Sequence, residues 1–369
     1  MNVRLIAEGE AEACNDFYNR IYGKKRSLRQ WKWDFYSTIY NNPRIPFAVV
    51  EDGGKIVGTQ AFIPIRMIDE DGVFWTAKSE ETLVDHNYRG KKLFEQMYQL
   101  LFDYANKNGL AYIWGFTPAT RAFKRLGFVI PAVTSQIFYP FSRRSIPPLL
   151  ERTGKDPGLV KSGLFGIGCN LARMVSSLRF ALNNPMRAGF SGLELRTLES
   201  APEDAGHLCE RFIRQWGGVT IYRDTAYLRW RIFQNPYLRA VMRAAYDGDQ
   251  LVGYIAYSLG DDGMGYLVDL MIAVSEDKSY DANDVARLLL SEAVIGTRNM
   301  GAHAIRGWRV NDHPFDAVIT RVAGSLGFYH IRKGHAVVLY CARDAAKRKA
   351  SDQFGRWFVS RIYTEGVFG

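Results

Sequence analysis

Only four cysteines occur in 369 residues, Cys14, Cys169, Cys209 and Cys341, and all are far apart. No C-x-x-C pair is present, and the six histidines have no ligand spacing with the cysteines. Neither a zinc site nor a disulfide framework is therefore expected. A run of about 18 uncharged apolar residues is also missing, so no spanning helix is expected. The opening residues, MNVRLIAEGEAEA, lack a basic-then-apolar leader pattern, and a cytoplasmic location is the expectation. Both common phosphate-binding signatures, GxxxxGK[ST] and GxGxxG, are absent as well.

What remains is an ordinary globular composition, 47% hydrophobic and 23% charged, with 14% aromatics. The length suits two domains. Net charge is +10, unevenly spread. Residues 143–190 carry 8 basic and 2 acidic groups, whereas 191–342 carry 16 and 18. A basic segment suits anionic partners or a solvated linker. Charge alone specifies no nucleic acid, and none is expected.

The chain repeats itself. WKWDFYSTIYNNPRIPFAVVEDGGKIVGTQAFIP (31–64) parallels YLRWRIFQNPYLRAVMRAAYDGDQLVGYIAYS (227–258). Each reads as an aromatic-basic helix, Asn-Pro, a strand, an acidic-glycine turn, and a strand beginning near a Val-Gly pair. Trp31, Trp33, Trp230 and Phe233 on those helices are expected in the core. Each copy closes alike, with FKRLGF (123–128) and AGSLGF (323–328), where Gly127 and Gly327 suit a left-handed helix cap. The expected fold is mixed α/β, two tandem domains at 1–142 and 191–342. A basic helical linker (143–190) and a basic tail (343–369) complete the chain. Strand 128–139 is expected to finish the first domain and strand 335–341 the second. In the linker, Val160, Leu164, Ile167, Leu171, Met174 and Leu178 recur every three or four residues, predicting one helix over 159–183. Its apolar stripe suits packing against the domains or peripheral contact with an anionic membrane.

The chemistry concentrates in VDHNYRGKKLFEQMYQLLFDYANKNG (84–109). A strand feeds a helix through Tyr88-Arg89-Gly90-Lys91-Lys92. Free backbone N–H groups at a helix N-terminus, a glycine permitting close approach and three cations make a site for a polyphosphate. His86 reads as an exposed loop residue.

This strand, basic glycine turn, amphipathic helix, second strand and L-G-F closure resemble the GNAT acyltransferases, in tandem two-domain form. The resemblance covers about 1–139 and, more faintly, 191–342. It implies acetyl-CoA as co-substrate, no metal, and a small-molecule amine acceptor. The turn residues Arg89, Gly90, Lys91, Lys92, Leu93 and Phe94 would hold the pyrophosphate, and backbone around Leu83 and Val84 would face the thioester. Arg89-Gly90-Lys91 matches the family's turn, while its later small residues fall on Lys92 and Phe94. In the second copy, VSEDKSYDANDVARLLL (274–290) has no Arg-Gly turn, and its carboxylates would repel phosphate. That copy is expected to bind no coenzyme.

Direct acyl transfer needs a base for the amine, donors for the oxyanion and a proton for the thiolate. The resemblance implies a carboxylate base on the strand before the turn, here Glu80 or Glu81. As neighbours on a strand they are expected on opposite faces, with Glu81 slightly favoured. The family's tyrosine acid falls on Phe123, so Tyr139, Tyr112 and Tyr88 stand as substitutes. Tandem relatives also suggest amino sugars or sugar nucleotides of surface-polysaccharide synthesis as acceptors. Two other readings stand beside this one: an aminoacyl-tRNA-dependent peptidoglycan-type transferase, and an inactive scaffold or sensor.

Overall fold

A computed structural model describes residues 1–36, 45–142, 163–185, 192–309, 313–331, 334–341 and 354–364. They fall into two compact units, Met1–Ala132 with His335–Phe354, and Val133–Gly334 with Gly355–Gly369.

In the first unit, β1 (Asn2–Leu5), α1 (Ala11–Tyr22) and α2 (Leu28–Phe35) precede a meander of β2 (Phe47–Asp52), β3 (Lys55–Asp69) and β4 (Gly72–Val84). α3 (Leu93–Lys107), β5 (Tyr112–Thr117) and α4 (Thr120–Arg125) follow. Sheet order is β1-β2-β3-β4-β5-β14, where β14 is Ala336–Cys341. In this order β4 and β5 pair in parallel, and the other neighbours whose pairing is given are antiparallel. Leu93, Met97, Tyr98, Leu101, Phe102 and Ala105 form the buried face of α3, against Phe62, Ala77 and Ile113 of the sheet. Each such large apolar side chain contributes about 1.5–3 kcal/mol on burial. Trp31 and Trp33 are in the core, as expected.

The second unit runs β6 (Ser135–Pro140), α5 (Gly163–Asn183), β7 (Glu194–Leu198), α6 (Ala205–Trp216), β8 (Thr220–Ile221) and α7 (Thr225–Leu228), the last continuing as a π-turn to Phe233. Then come β9 (Ala240–Asp247), β10 (Gln250–Leu259), β11 (Gly265–Ile272), α8 (Ala282–Asn299), β12 (Ala304–Arg309), α9 (Pro314–Ser325) and β13 (Tyr329–Ile331). Sheet order is β13-β6-β12-β11-β10-β9-β7. The shared Val-Gly pair has a packing reason. A Cβ on Gly58 would meet Val50 Cγ2 at 2.9 Å, and one on Gly253 would meet the Met271 carbonyl at 2.9 Å. Gly127 and Gly327 both take positive φ, 88° and 96°.

The expected domain bounds are corrected. The contiguous domains exchange strands: β6, which follows the first L-G-F, pairs with β12 of the second sheet, and β14, which follows the second, pairs with β5 of the first. Either strand can satisfy an edge of the same geometry, and nothing local in its pattern names the sheet. In the basic tail, residues 357–364 are buried in the second unit, where Ser360 donates to Asp269 Oδ1 at 2.6 Å. The remainder of 343–369 lies outside the described residues, apart from 354–356. The linker helix is Gly163–Asn183, and 159–162 lie outside the described residues. Its stripe residues Leu171, Met174 and Leu178 face outward, while Ser176 and Phe180 are buried. Ser176 donates to the Gly327 carbonyl and Tyr329 to that of Ala172, which fixes that inner side.

Candidate active site

β4 and β5 pair only at Ala77–Ile113 and Lys78–Trp114. Beyond that point β4 continues beside β3 to Val84, and β5 continues beside β14 to Thr117. The last turn of β4 therefore has a strand on one side and a wedge on the other. Backbone N–H and C=O groups facing such a wedge need another partner. Leu83 and Val84, expected beside a thioester, lie on this stretch, opposite Thr59 and Gly58.

A bulge shapes the same stretch. Thr59 pairs with Leu83 but Ala61 with Glu80, so β4 carries an extra residue. Glu81 sits in it with φ 56°. A buried polar network under α3 holds the bulge. The Tyr98 hydroxyl lies 2.6 Å from Ser79 Oγ and 3.2 Å from Thr82 Oγ1. Gln60 donates to Ser79 Oγ and to the Glu80 carbonyl, and accepts from Thr82. Burial raises the Tyr98 pKa, keeping it a neutral phenol.

Because of the extra residue, Ser79 and Thr82 reach one hydroxyl although three positions apart. Glu80 and Glu81 take different environments, one half-buried and one buried. Both act on Tyr22, whose pKa is raised by burial first and by these two carboxylates after it. Their own partners differ. Both Glu81 oxygens accept from Arg26, at 2.9 and 2.6 Å, and the carboxylate is 3% exposed. Arg26 in turn donates to Asn15 and lies 3.7 Å above the Tyr18 ring. Glu80 is 36% exposed and meets Lys78 Nζ at 2.6 Å.

After Val84 the chain makes one 3₁₀ turn, His86–Tyr88, capped by Asp85 on the Asn87 N–H. Arg89, Gly90, Lys91 and Lys92 are exposed, as is His86. Gly90 has φ 81°. Lys92, at the N-cap of α3, has φ 56° and ψ 25°, and its side chain caps no N–H. Thus the family's small-residue position at Lys92 keeps a glycine-like backbone despite the side chain, and among the described residues the N-cap side chain leaves the first amides of α3 uncapped. Phe94 does not crowd them. Its ring turns inward, 4.8 Å from Tyr98 and 5.7 Å from Phe123. Leu93 is buried in the core.

Among the described residues, Glu81 and Lys92 are the two non-glycine residues with positive φ. Such backbone costs about 1–3 kcal/mol per residue and gathers where function holds it. Both flank one wedge and one helix N-terminus.

The substitutes for the missing acid are placed elsewhere. Phe123 is buried in an aromatic cluster with Tyr98 and Phe128. Tyr88 donates to Asp52 at 2.9 Å, which raises its own pKa and lowers that of Asp52. Tyr112 is buried beside Phe74. Tyr139 is on β6, in the second unit's sheet, buried against Phe141 and Phe328 with its pKa raised by burial.

The second unit has the same frame with its helix N-terminus capped. β11 and β12 also pair only briefly. At the N-terminus of α8, however, Asp281 accepts from the Asn283 and Asp284 amides, and Asp284 reaches back to the Asp281 N–H. A complete capping box with two carboxylates occupies the donors that a phosphate would use.

Residues 2–130 match the family model of the acetyltransferase (GNAT) domain. Over that span the first unit is similar to a GNAT acetyltransferase domain. Similarity of structure extends over most of the chain. A GCN5-related N-acetyltransferase from Anabaena variabilis superposes at a TM-score of 0.62 and 11% identity, over 93% of this chain and 73% of that one. Eis1 from Mycobacterium abscessus gives 0.57 and 13%, over 95% and 76%. A tandem GNAT protein from the clavulanic acid biosynthesis pathway gives 0.52 and 14%, over 93% and 99%. At these identities the likeness establishes the tandem GNAT fold. No curated protein matches the sequence. Sequence reasoning missed Arg26, Gln60 and Tyr98, which position the strand. A signal for Arg26 was present: Arg26 and Arg223 each precede the N-cap of the aromatic helix in their copy.

Proposed function

We propose that the first unit binds acetyl-CoA and transfers its acetyl group to an amine, while the second unit binds no coenzyme. One contrast carries this reading: the N-cap side chain leaves the first amides of α3 uncapped, whereas those of α8 are filled by Asp281 and Asp284. The pyrophosphate would accept from the 89–94 backbone, with the cations supplying long-range attraction. The wedge beyond Lys78 would receive the thioester, where β4 amides can stabilise the oxyanion.

Glu80 is the base in this reading, because the oxygens of Glu81 are held by Arg26. The acceptor amine gives a proton toward Glu80, its nitrogen bonds to the acetyl carbon, and the C–S bond breaks. Coenzyme A leaves as a thiolate that takes a proton from solvent. No tyrosine is needed where the leaving group is this acidic, which suits Phe123.

Isothermal titration of acetyl-CoA tests the reading. Wild type should bind at micromolar strength and Gly90→Glu should not. No binding to wild type would return the protein to the scaffold or tRNA-dependent readings. Binding that survives Gly90→Glu would move the coenzyme away from this turn.

A further inference from the structure

One surface has no part in this chemistry. On α5, Leu171, Met174, Leu178 and Leu182 are 60%, 65%, 61% and 75% exposed. They stand three, four and four residues apart, so they share one face. The opposite side, Ser176 and Phe180, is buried. Among described residues, large apolar side chains this exposed do not otherwise fall on one helical stripe. Solvated proteins rarely keep such a row without a partner.

We propose that this face docks the protein on an anionic lipid bilayer. Charge complementarity selects the occupant. From residue 157 to 193 the sequence contains no Asp or Glu, while Lys161, Arg173, Arg179 and Arg187 occur along it. Arg179 is exposed beside Leu178. A second copy of this helix would bring arginines to arginines with no carboxylate to meet them. Lipid phosphates would meet them directly, at about 1 kcal/mol per basic residue near the surface. Area argues the same way. Four such side chains offer on the order of 500 Å², short of the ~800 Å² per partner of a standard protein interface. A bilayer needs no matching partner surface, only an apolar face lying at the headgroup boundary. No helix among the described residues is long and apolar enough to cross a membrane, so the contact is peripheral.

Vesicle co-sedimentation of the full chain tests this. Wild type should partition onto phosphatidylcholine vesicles containing phosphatidylglycerol, and far less onto phosphatidylcholine alone. Leu171→Ser with Leu178→Ser should lower partitioning at least about tenfold, as should Met174→Ser with Leu182→Ser. Arg179→Ala should lower it less, and added salt should mimic that loss. All four apolar positions are exposed, so circular dichroism and acetyl-CoA binding should be unchanged in these variants. A wild type that ignores anionic vesicles at low salt overturns the proposal. So does partitioning undiminished in both double variants. A wild-type dimer in light scattering that both double variants turn to monomer, without vesicle binding, assigns the face to a second copy instead.

Discussion

Arg26 grips Glu81 as Arg223 grips Asp269. Each arginine sits one residue before a helix N-cap, Ser27 or Asp224, and each carboxylate sits three residues before the strand partner of the Val-Gly glycine. Both pairs are buried and two-pronged; Arg223 and Asp269 are 0% exposed, with Tyr254 and Ser360 also on the carboxylate. A pair present in both units, including the one with a filled helix N-terminus, belongs to the fold. Removing one partner of a buried ion pair costs about 3–5 kcal/mol. Glu81→Gln and Arg26→Ala should each lower urea-unfolding stability by that order. An unchanged unfolding midpoint with lost turnover would instead make Glu81 part of the chemistry.

Glu80 should behave differently. Its carboxylate is 36% exposed but its partner Lys78 is 4% exposed, so Glu80→Gln should cost about 1–3 kcal/mol of stability, less than Glu81→Gln. Turnover should fall about 10²- to 10⁴-fold with acetyl-CoA affinity unchanged. Full activity in Glu80→Gln would remove it as the base.

The turn's cations act at a distance and its amides at contact. Arg89→Ala and Lys91→Ala should each weaken acetyl-CoA binding by up to about tenfold, with the loss shrinking as salt rises. Lys92→Gly should bind as well as wild type or better, because φ 56° favours glycine. A Lys92→Gly protein that fails to bind would show that the ammonium, rather than the backbone, serves this position.

His313 gives the second unit a dependence on pH. Its ring stacks on Phe212 at 5.8 Å, Nδ1 accepts from the Phe315 amide, and Nε2 donates to the Gly217 carbonyl. Burial pushes its pKa down to about 4 from 6.5. Between those values the unfolded chain binds a proton that the folded one refuses. This contribution is therefore fully present above pH 6.5 and is lost as pH falls toward 4, by up to about 3 kcal/mol. Unfolding midpoints measured from pH 7 to 4 should show this slope, and His313→Asn should flatten it. Equal slopes in both proteins would place the titration elsewhere.

Much of the frame was legible because it is local. Val-Gly, the acidic-glycine hairpins and L-G-F each answer to a turn or a close approach that few residues allow. The basic glycine turn was readable for the same reason. Faces and partners were harder. One extra residue in β4 alters which side chains share a surface, and no pattern marks Glu81 as that residue. Period three-four identified α5 but could not say whether its apolar stripe looks inward. The strand of Tyr139 was assigned to the first domain because a strand's alternation is the same whichever sheet receives it.

That exchange of β6 and β14 has a consequence for heredity as well as for architecture. A gene cut between the copies would leave β5 with a bare edge and β6 without a sheet, so neither product inherits a finished fold. Neither unit can be discarded, and neither can travel alone. A repeat joined in this way is inherited as one piece.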